Sequence, residues 1–276
     1  ATSTAKTITL TWKKVTNAEK YQIQQYTSGE CKTLGTTSSA TYKITSKQIS
    51  KIKAATKYKL AVRAMVKENG KWVYGERKEI TKYTGLATPS SVKVSSSSVT
   101  TTSAKLSWKK VTGASNYEVY AYIGGKWKKM GSTKKTAKTE KKLPAGKKTK
   151  LKVRAVAKLG SETVKSSFSS EVTALTLVSK VTSLKAAERK TTSIKLSWKK
   201  VTGATSYQVY RYTNGKWKKI GTTTKTTYTD SKSLEKGTEY KYKVRAVQKV
   251  SSKTTRYGAY SSVLKAKTTR IGTARF

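Results

Sequence analysis

Hydrophobic and polar residues alternate along short segments of this chain. Ile194, Leu196 and Trp198 fall on one face of an extended segment, and the residues between them are Lys195 and Ser197. Residues 240–246 alternate in the same way. Alternation with a period of two predicts half-buried strands in antiparallel sheets. Because no segment has a helical period, the pattern predicts an all-β protein.

The segments recur three times. The runs ITLTWKKVTNAEKYQI at 8–23, AKLSWKKVTGASNYEV at 104–119 and IKLSWKKVTGATSYQV at 194–209 are close copies. A second block, with V-R-A near its end, follows each run. The repeating unit is about 90 residues long, which predicts tandem domains. We expect these to span residues 1–86, 87–178 and 179–270, followed by a tail at 271–276.

Short turns fix which residues face one another. Asn214-Gly215 favours a two-residue type I′ hairpin. In the third repeat it predicts the pairs Tyr212 with Trp217, Tyr210 with Lys219, and Val209 with Ile220. The corresponding pairs are Tyr122 with Trp127 and Val119 with Met130 in the second repeat, and Tyr26 with Cys31 and Ile23 with Leu34 in the first. A further turn at Asn69-Gly70 pairs Lys67 with Trp72 and predicts that the aliphatic part of the Lys67 side chain lies on the Trp72 ring.

The repeated motifs resemble those of fibronectin type III domains. They are the Trp of L-S-W, the strand Y-x-V-Y and the strand T-x-Y-x-x-x-V-R-A-V. The motif W-K-K-V-T-G-A-x-x-Y is similar to the corresponding segment of fibronectin type III domains in secreted proteins of gram-positive bacteria. The resemblance implies three tandem fibronectin type III-like (immunoglobulin-like) antiparallel β-sandwiches arranged in a rod. It also implies an extracellular or cell-surface location.

The resemblance carries two structural expectations. A corner tyrosine precedes the sixth strand, and Tyr58 and Tyr240 match it, whereas the second repeat has Thr149. First strands are expected near Ser91–Val94 and Thr182–Leu184. The first repeat has no room for one, so its sheet edge is expected to be completed by missing residues or by a partner strand. The tail 270–276 is one candidate donor.

The residue inventory excludes most catalytic chemistry. The chain has no His, a single Asp (Asp230) and a single Cys (Cys31). Neither a Ser-His-Asp arrangement nor a zinc or calcium site can be assembled from these residues. We therefore expect no enzyme activity, cofactor, metal or small-molecule substrate. Cys31 has no internal disulfide partner, and no apolar run is long enough for membrane insertion.

Positive charge is in large excess in every repeat. The chain has 60 Lys+Arg against 13 Asp+Glu, a net charge of +47. Divided after residues 86 and 178, the counts are 17 against 5, 19 against 4, and 24 against 4. Such a field attracts polyanions. Expected partners are teichoic acid, acidic polysaccharide or glycosaminoglycan, other copies of the chain, and nucleic acid without sequence specificity.

One face combines these cations with aromatic rings. Outward positions of the third, fourth and sixth strands form the candidate binding face. In the second and third repeats its members are Tyr120, Tyr122, Trp127, Lys129, Lys152, Arg154, Tyr210, Tyr212, Trp217, Lys219, Lys243 and Arg245. Rings among cations can stack on sugars while the cations hold anions. The alternative is structural, because cross-strand aromatic pairs stabilise a sheet by roughly 0.2–1 kcal/mol each without any ligand.

Two functions remain open at this point. The first is a non-catalytic extracellular structural or adhesive stalk that carries a basic surface for anionic cell-wall or matrix polymers and assembles into a surface fibre. The second is a glycan- or polyanion-binding or spacer region of a larger secreted carbohydrate-active enzyme.

Overall fold

The computed structural model describes residues 1–270, so the expected tail at 271–276 lies outside the described residues. Within this range the protein consists of 24 β-strands and one 3-10 turn at Ser96–Ser98. The all-β prediction is therefore confirmed. No helix in the described part of the chain is long and apolar enough to cross a membrane.

Each repeat forms one three-stranded and one five-stranded antiparallel sheet. In the first repeat the sheets have the order β1-β2-β5 and β4-β3-β6-β7, and β8 pairs with β6 on its other side. The strands are β1 (Thr2–Ser3), β2 (Ile8–Thr11), β3 (Lys20–Thr27), β4 (Glu30–Thr37), β5 (Thr41–Ile44), β6 (Lys57–Glu68), β7 (Lys71–Tyr74) and β8 (Lys78–Tyr83).

The second repeat has the same strand order. Its sheets are β13-β10-β9 and β12-β11-β14-β15, and β16 also pairs with β14. The strands are β9 (Lys93–Val94), β10 (Ala104–Ser107), β11 (Asn116–Ile123), β12 (Lys126–Thr133), β13 (Ala137–Glu140), β14 (Lys148–Leu159), β15 (Glu162–Lys165) and β16 (Val172–Leu175).

The third repeat again has this topology. Its sheets are β17-β18-β21 and β20-β19-β22-β23, and β24 also pairs with β22. The strands are β17 (Lys185–Arg189), β18 (Ile194–Ser197), β19 (Ser206–Thr213), β20 (Lys216–Thr223), β21 (Thr227–Asp230), β22 (Glu239–Lys249), β23 (Thr255–Tyr260) and β24 (Leu264–Lys267).

The chain also divides into two compact units. One comprises Ala1–Lys93, Leu106–Lys138 and Leu151–Val172, and the other comprises Val94–Lys105, Thr139–Lys150 and the chain from Thr173 onward. The first unit contains both sheets of the first repeat, and the second contains both sheets of the third. The domain boundaries expected from the sequence repeat stay a prediction.

The alternating apolar residues form a core in each unit. In the first unit the core residues, each at most 7% exposed, are Ile8, Leu10, Ile23, Ile44, Tyr58 and Leu60. In the second unit they include Ile194, Leu196, Trp198, Val209, Tyr242 and Val244. Complete burial of one such side chain stabilises the fold by about 1.5–3 kcal/mol. The two sheets of the first and third repeats therefore form β-sandwiches, as predicted.

The W-K-K-V-T motif has a structural role in every repeat. The Trp108 ring packs on the Tyr117 ring at a centroid distance of 5.3 Å. The Tyr117 hydroxyl accepts a hydrogen bond of 2.8 Å from the Val111 amide. The same pair of contacts occurs in the first and third repeats. In each copy the tyrosine therefore fixes the loop that follows the tryptophan strand.

The hairpin register is confirmed near the turns and is wrong beyond them. The pairs Tyr212 with Trp217 and Tyr210 with Lys219 form as predicted. Val209, however, lies opposite Gly221 rather than Ile220, because a β-bulge follows it. The extra residue of a bulge shifts all later pairs by one position. Ile220 still packs against the core.

The bulge recurs in the other two hairpins. Val119 lies opposite Gly131 instead of Met130, and Ile23 lies opposite Gly35 instead of Leu34. A glycine stands at this position in each copy. At Gly221 the reason is steric, because the Tyr228 ring covers the residue and the Tyr228 hydroxyl donates to the Ile220 carbonyl at 2.7 Å. A side chain at Gly221 would collide with that ring.

The first strands also differ from the expectation. Thr2 and Ser3 pair with β2, so the edge of the first repeat that was expected to be open is occupied by β1. In the second repeat β9 lies inside the expected segment, whereas β17 begins at Lys185, after the expected Thr182–Leu184. Both tyrosine corners form, because the Tyr58 hydroxyl accepts from the Lys53 amide and the Tyr240 hydroxyl from the Glu235 amide.

Candidate functional site

The candidate binding face of the second repeat lies on the outer side of its five-stranded sheet. Alternation along β11, β12 and β14 directs its rings and cations to this side. Tyr122 lies opposite Trp127, with ring centroids 5.5 Å apart. Tyr120 lies opposite Lys152 on one side and Lys129 on the other. The sequence prediction therefore placed these residues together correctly.

Lys152 lies between two aromatic rings. Its ammonium is 3.9 Å from the centroid of Trp127 and 4.3 Å from that of Phe168. The electron-rich faces of aromatic rings attract such a cation, by about 0.5–1 kcal/mol at exposed sites. Lys152 and its two rings are called the lysine clamp below. Its cation is already engaged by the protein.

Phe168 was not predicted to lie on this face. This residue precedes β16 in the chain, and Ser169 fixes its position. The Ser169 amide donates to the Val153 carbonyl at 2.8 Å, and the Val153 amide donates to the Ser169 hydroxyl at 3.1 Å. An aromatic residue followed by Ser-Ser occurs both at 168–170 and at 260–262. That repetition was the available signal.

Glu118 lies at the centre of the face. Lys129 donates to one carboxylate oxygen at 2.6 Å, and the Arg154 Nε donates to the other at 2.7 Å. The Glu118 side chain is 10% exposed. Burial favours the neutral acid, but the hydrogen bonds from Lys129 and Arg154 prevail and lower the pKa of Glu118 from 4.5 to about 2. Glu118 is thus an ionised structural carboxylate and is unsuited to act as a general acid near neutral pH.

The third repeat forms the same clamp around Lys243. Its ammonium is 4.3 Å from the centroid of Trp217 and 4.0 Å from that of Tyr260. Tyr212 packs edge-on against Trp217 at 5.3 Å. Tyr260 occupies the place that Phe168 has in the second repeat, and it too was missed.

The centre of the third face is neutral. Gln208 stands where the second repeat has Glu118. Its Oε1 accepts a hydrogen bond of 2.9 Å from Arg245 and another of 3.0 Å from Tyr210. The Arg245 guanidinium stacks on Tyr257 at 4.1 Å from the ring centroid. This face therefore has one negative charge fewer than the face of the second repeat.

The first repeat has a different arrangement. Lys59 lies over Tyr26 at 4.5 Å and also forms an ion pair of 2.7 Å with Glu79. Gln24 is only 3% exposed, and the Arg77 Nε donates to its Oε1 at 2.9 Å. The cation over Trp72 is that of Lys20, at 5.4 Å, although Lys67 is the cross-strand partner as predicted.

The arrangement limits what the two faces can do chemically. In each clamp the protein's own lysine covers ring faces, so a ligand would meet mainly the more exposed rings. Among the members of the candidate binding face these are Tyr122 and Tyr212, which are 44% and 40% exposed. Within residues 1–270 no group of three or more His, Cys, Asp or Glu side chains could hold a metal ion. Ligand binding to these faces stays a prediction.

Comparison with known families assigns two parts of the chain. Residues 179–259 match the fibronectin type III domain. Residues 89–172 match the C-terminal domain of GH85 endohexosaminidases. A segment of 74 residues is 45% identical to a poly(3-hydroxybutyrate) depolymerase of Ralstonia pickettii. That segment is 27% of this chain and 14% of the depolymerase.

Two solved structures are similar over longer stretches. The FN1-FN3 domains of chicken CNTN1 align with a TM-score of 0.31 and 16% identity, covering 98% of this chain and 96% of theirs. A segment of two fibronectin type III domains from chicken tenascin aligns with a TM-score of 0.38 and 21% identity. It covers 67% of this chain and 99% of the tenascin segment.

Proposed function

We propose that this chain, which consists of tandem fibronectin type III domains, is a non-catalytic extracellular spacer region of a larger protein that acts on a polymer. In this role its repeats hold anionic polymers, such as teichoic acid or acidic polysaccharide, through their basic surface. The excess of cations in all three repeats is the observation that carries this proposal.

The family matches support the accessory role. The second repeat matches a C-terminal domain of endohexosaminidases, and the 74-residue segment matches part of a depolymerase. The fibronectin type III match in the third repeat is to a non-catalytic kind of domain. An accessory region would retain a polymer near a catalytic part without itself carrying catalytic residues.

The charge distribution supports the binding role. Lysines on exposed strands can block edge-to-edge aggregation, but that function does not require an excess of one sign. Here the counts are 17 against 5, 19 against 4, and 24 against 4 in the three repeats. A surplus of this size favours long anionic partners, because each neutralised phosphate or sulfate releases a counterion.

The fibre hypothesis has lost its main support. It rested on an open sheet edge in the first repeat, and β1 occupies that edge. The suggested donor strand falls mainly in residues 271–276, outside the described residues. We therefore favour the spacer over self-assembly.

The test is a salt titration of binding. We expect the chain to bind immobilised heparin and teichoic acid at 50 mM NaCl but not neutral dextran. The logarithm of the binding constant should fall linearly with the logarithm of the salt concentration, with a slope that counts several displaced counterions. Absence of binding at low salt, or binding that salt leaves unchanged, would refute the proposed function.

A further inference from the structure

A cleft lined by lysines lies at the junction of the first and second repeats. Its volume is about 620 Å³, and all of its lining residues belong to the first compact unit. Five of the 14 lining residues are lysines, and none is acidic. The lysines of this cleft, which is called the lysine cleft below, are Lys6, Lys51, Lys53, Lys109 and Lys110.

Hydrogen bonds to the backbone of Lys53 and Lys109 fix two walls of the lysine cleft. The Lys53 amide donates to the corner Tyr58 hydroxyl at 3.0 Å, and the Thr84 hydroxyl donates to the Lys53 carbonyl at 2.6 Å. On the opposite wall the Lys109 amide donates to the Ser90 carbonyl at 2.9 Å. The lysine stems therefore start from ordered backbone, and the cleft exists without a ligand.

Close packing of two loops holds the walls together. Gly113 has φ +82°, and a Cβ at this position would lie 3.0 Å from the Ala54 carbonyl oxygen. Glycine permits both this conformation and this approach. Val111, in the same loop, is 5% exposed. The depth of the cleft thus depends on contacts that a larger residue at Gly113 would push apart.

The cleft lysines differ from the cations of the aromatic faces. Lys129 pairs with Glu118, and Lys152 lies between two rings. In contrast, none of the five cleft lysines makes an ion pair with a carboxylate in the described range 1–270, and all five residues are exposed. Five like charges around one concave surface concentrate a positive potential there. An anionic ligand would relieve their repulsion.

We propose that the lysine cleft binds a stretch of flexible polyol or sugar polymer that bears phosphate or sulfate groups. The proposal rests on the proposed function and gives it a location. Every cation that lines the cleft is a lysine, whose compact ammonium with three rotatable donors can meet phosphate or sulfate oxygens from many directions. Ile52 and Ala54 offer apolar surface for the carbon chain of such a polymer.

The W-K-K-V-T repeat supplies a matched control. Lys109 and Lys110 line the cleft, whereas Lys13 and Lys14 occupy the same motif positions in the first repeat and do not line it. All four are exposed, so K109A/K110A and K13A/K14A should both fold like the wild type. Each double variant removes two positive charges. Long-range electrostatics therefore change equally, and only the local site differs.

The measurement is calorimetric titration of the full chain at 50 mM NaCl. One probe is a heparin-derived hexasaccharide, which carries sulfates, and the other is a glycerol phosphate hexamer. We expect K109A/K110A to weaken binding about 30-fold, since each lysine beside an anionic surface contributes roughly a fivefold factor. K13A/K14A should weaken it less than about threefold, and the charge-retaining K109R/K110R should stay within about threefold of the wild type.

The outcomes separate the two proposals. If the wild type binds a probe but both alanine variants lose affinity equally, the cleft is not the site and the proposed function stands. If the wild type binds neither probe, both proposals fail. Tighter binding of the hexasaccharide than of the glycerol phosphate identifies sulfate as the preferred group, and the reverse identifies phosphate. Loss of binding in K109R/K110R would overturn the electrostatic basis of the site.

Discussion

The outward faces of the second and third repeats hold a lysine between two rings in the same way, but the residue at the centre of each face differs. In the second repeat the centre is Glu118, which bridges Lys129 and Arg154. In the third it is Gln208, which accepts hydrogen bonds from Arg245 and Tyr210. A change from glutamate to glutamine preserves the geometry and alters the charge.

The two faces therefore share one feature, the lysine clamp, and differ in another, the residue at the centre. The lysine clamp is kept, because it covers ring surface on the exposed side of a sheet with a cation and its stem. The central residue needs only an oxygen that can accept a hydrogen bond from the neighbouring arginine. Surface charge can therefore differ from one repeat to the next while the hydrogen bond to the arginine is kept.

The largest expected effect comes from removing the charged centre. Glu118→Ala leaves Arg154, whose side chain is 20% exposed, without its partner. Breaking a buried pair costs about 3–5 kcal/mol, and partial exposure reduces this to about 2–3 kcal/mol. Gln208→Ala removes a neutral acceptor from Arg245 and Tyr210 and should cost about 1 kcal/mol. Amide hydrogen exchange in β11 and β19 measures both values, and equal losses would contradict the distinction between the two centres.

A smaller effect is expected from acid. The pKa of Glu118 is lowered in the folded protein to about 2, from 4.5. The carboxylate therefore contributes stability that is fully present above about pH 4.5 and is lost as the pH falls toward 2. The loss should reach about 2 kcal/mol in exchange-derived unfolding free energy of β11. Glu118→Gln, which copies the third repeat, should abolish this dependence, and its persistence in that variant would assign it to other groups.

The smallest effect is expected from the reverse exchange. Gln208→Glu places a carboxylate beside Arg245 and Lys219, as in the second repeat. Because this pair is partly exposed, we expect the unfolding free energy measured by amide exchange in β19 to rise by about 0.5 kcal/mol at neutral pH. The gain should decline with added salt. A destabilisation greater than about 1 kcal/mol would show that the two faces are not interchangeable.

In the hairpins, the turn sequence predicts the residue pairs next to the turn but not those beyond the bulge. Asn214-Gly215 specifies the turn, and the turn fixes the pair of Tyr212 with Trp217, because the first few pairs depend only on neighbouring residues. The bulge before Gly221 could not be predicted in this way. What requires a glycine at this position is Tyr228, which comes from another strand and occupies the space above residue 221.

The candidate face shows the same limit. Tyr122, Trp127 and Lys152 were placed together from the alternation of their strands. Phe168 and Tyr260 were not, because they approach the face from segments outside the third, fourth and sixth strands, and only the fold brings those segments beside it. Glu118 was not predicted as part of the face, because its role at the centre depends on two cations from two neighbouring strands.

The sequence by itself determined the threefold repeat, the all-β class and the excess of positive charge, because periodicity, turn residues and charge are properties of neighbouring or counted residues. Only the tertiary structure decided which cations are engaged and which are not. Lys152 is held between rings and Lys129 by a carboxylate, whereas Lys109 and Lys110 line a cleft with no acidic residue. The physical reason is that an ammonium interacts with whatever lies within a few ångströms of it, and folding alone brings those groups together.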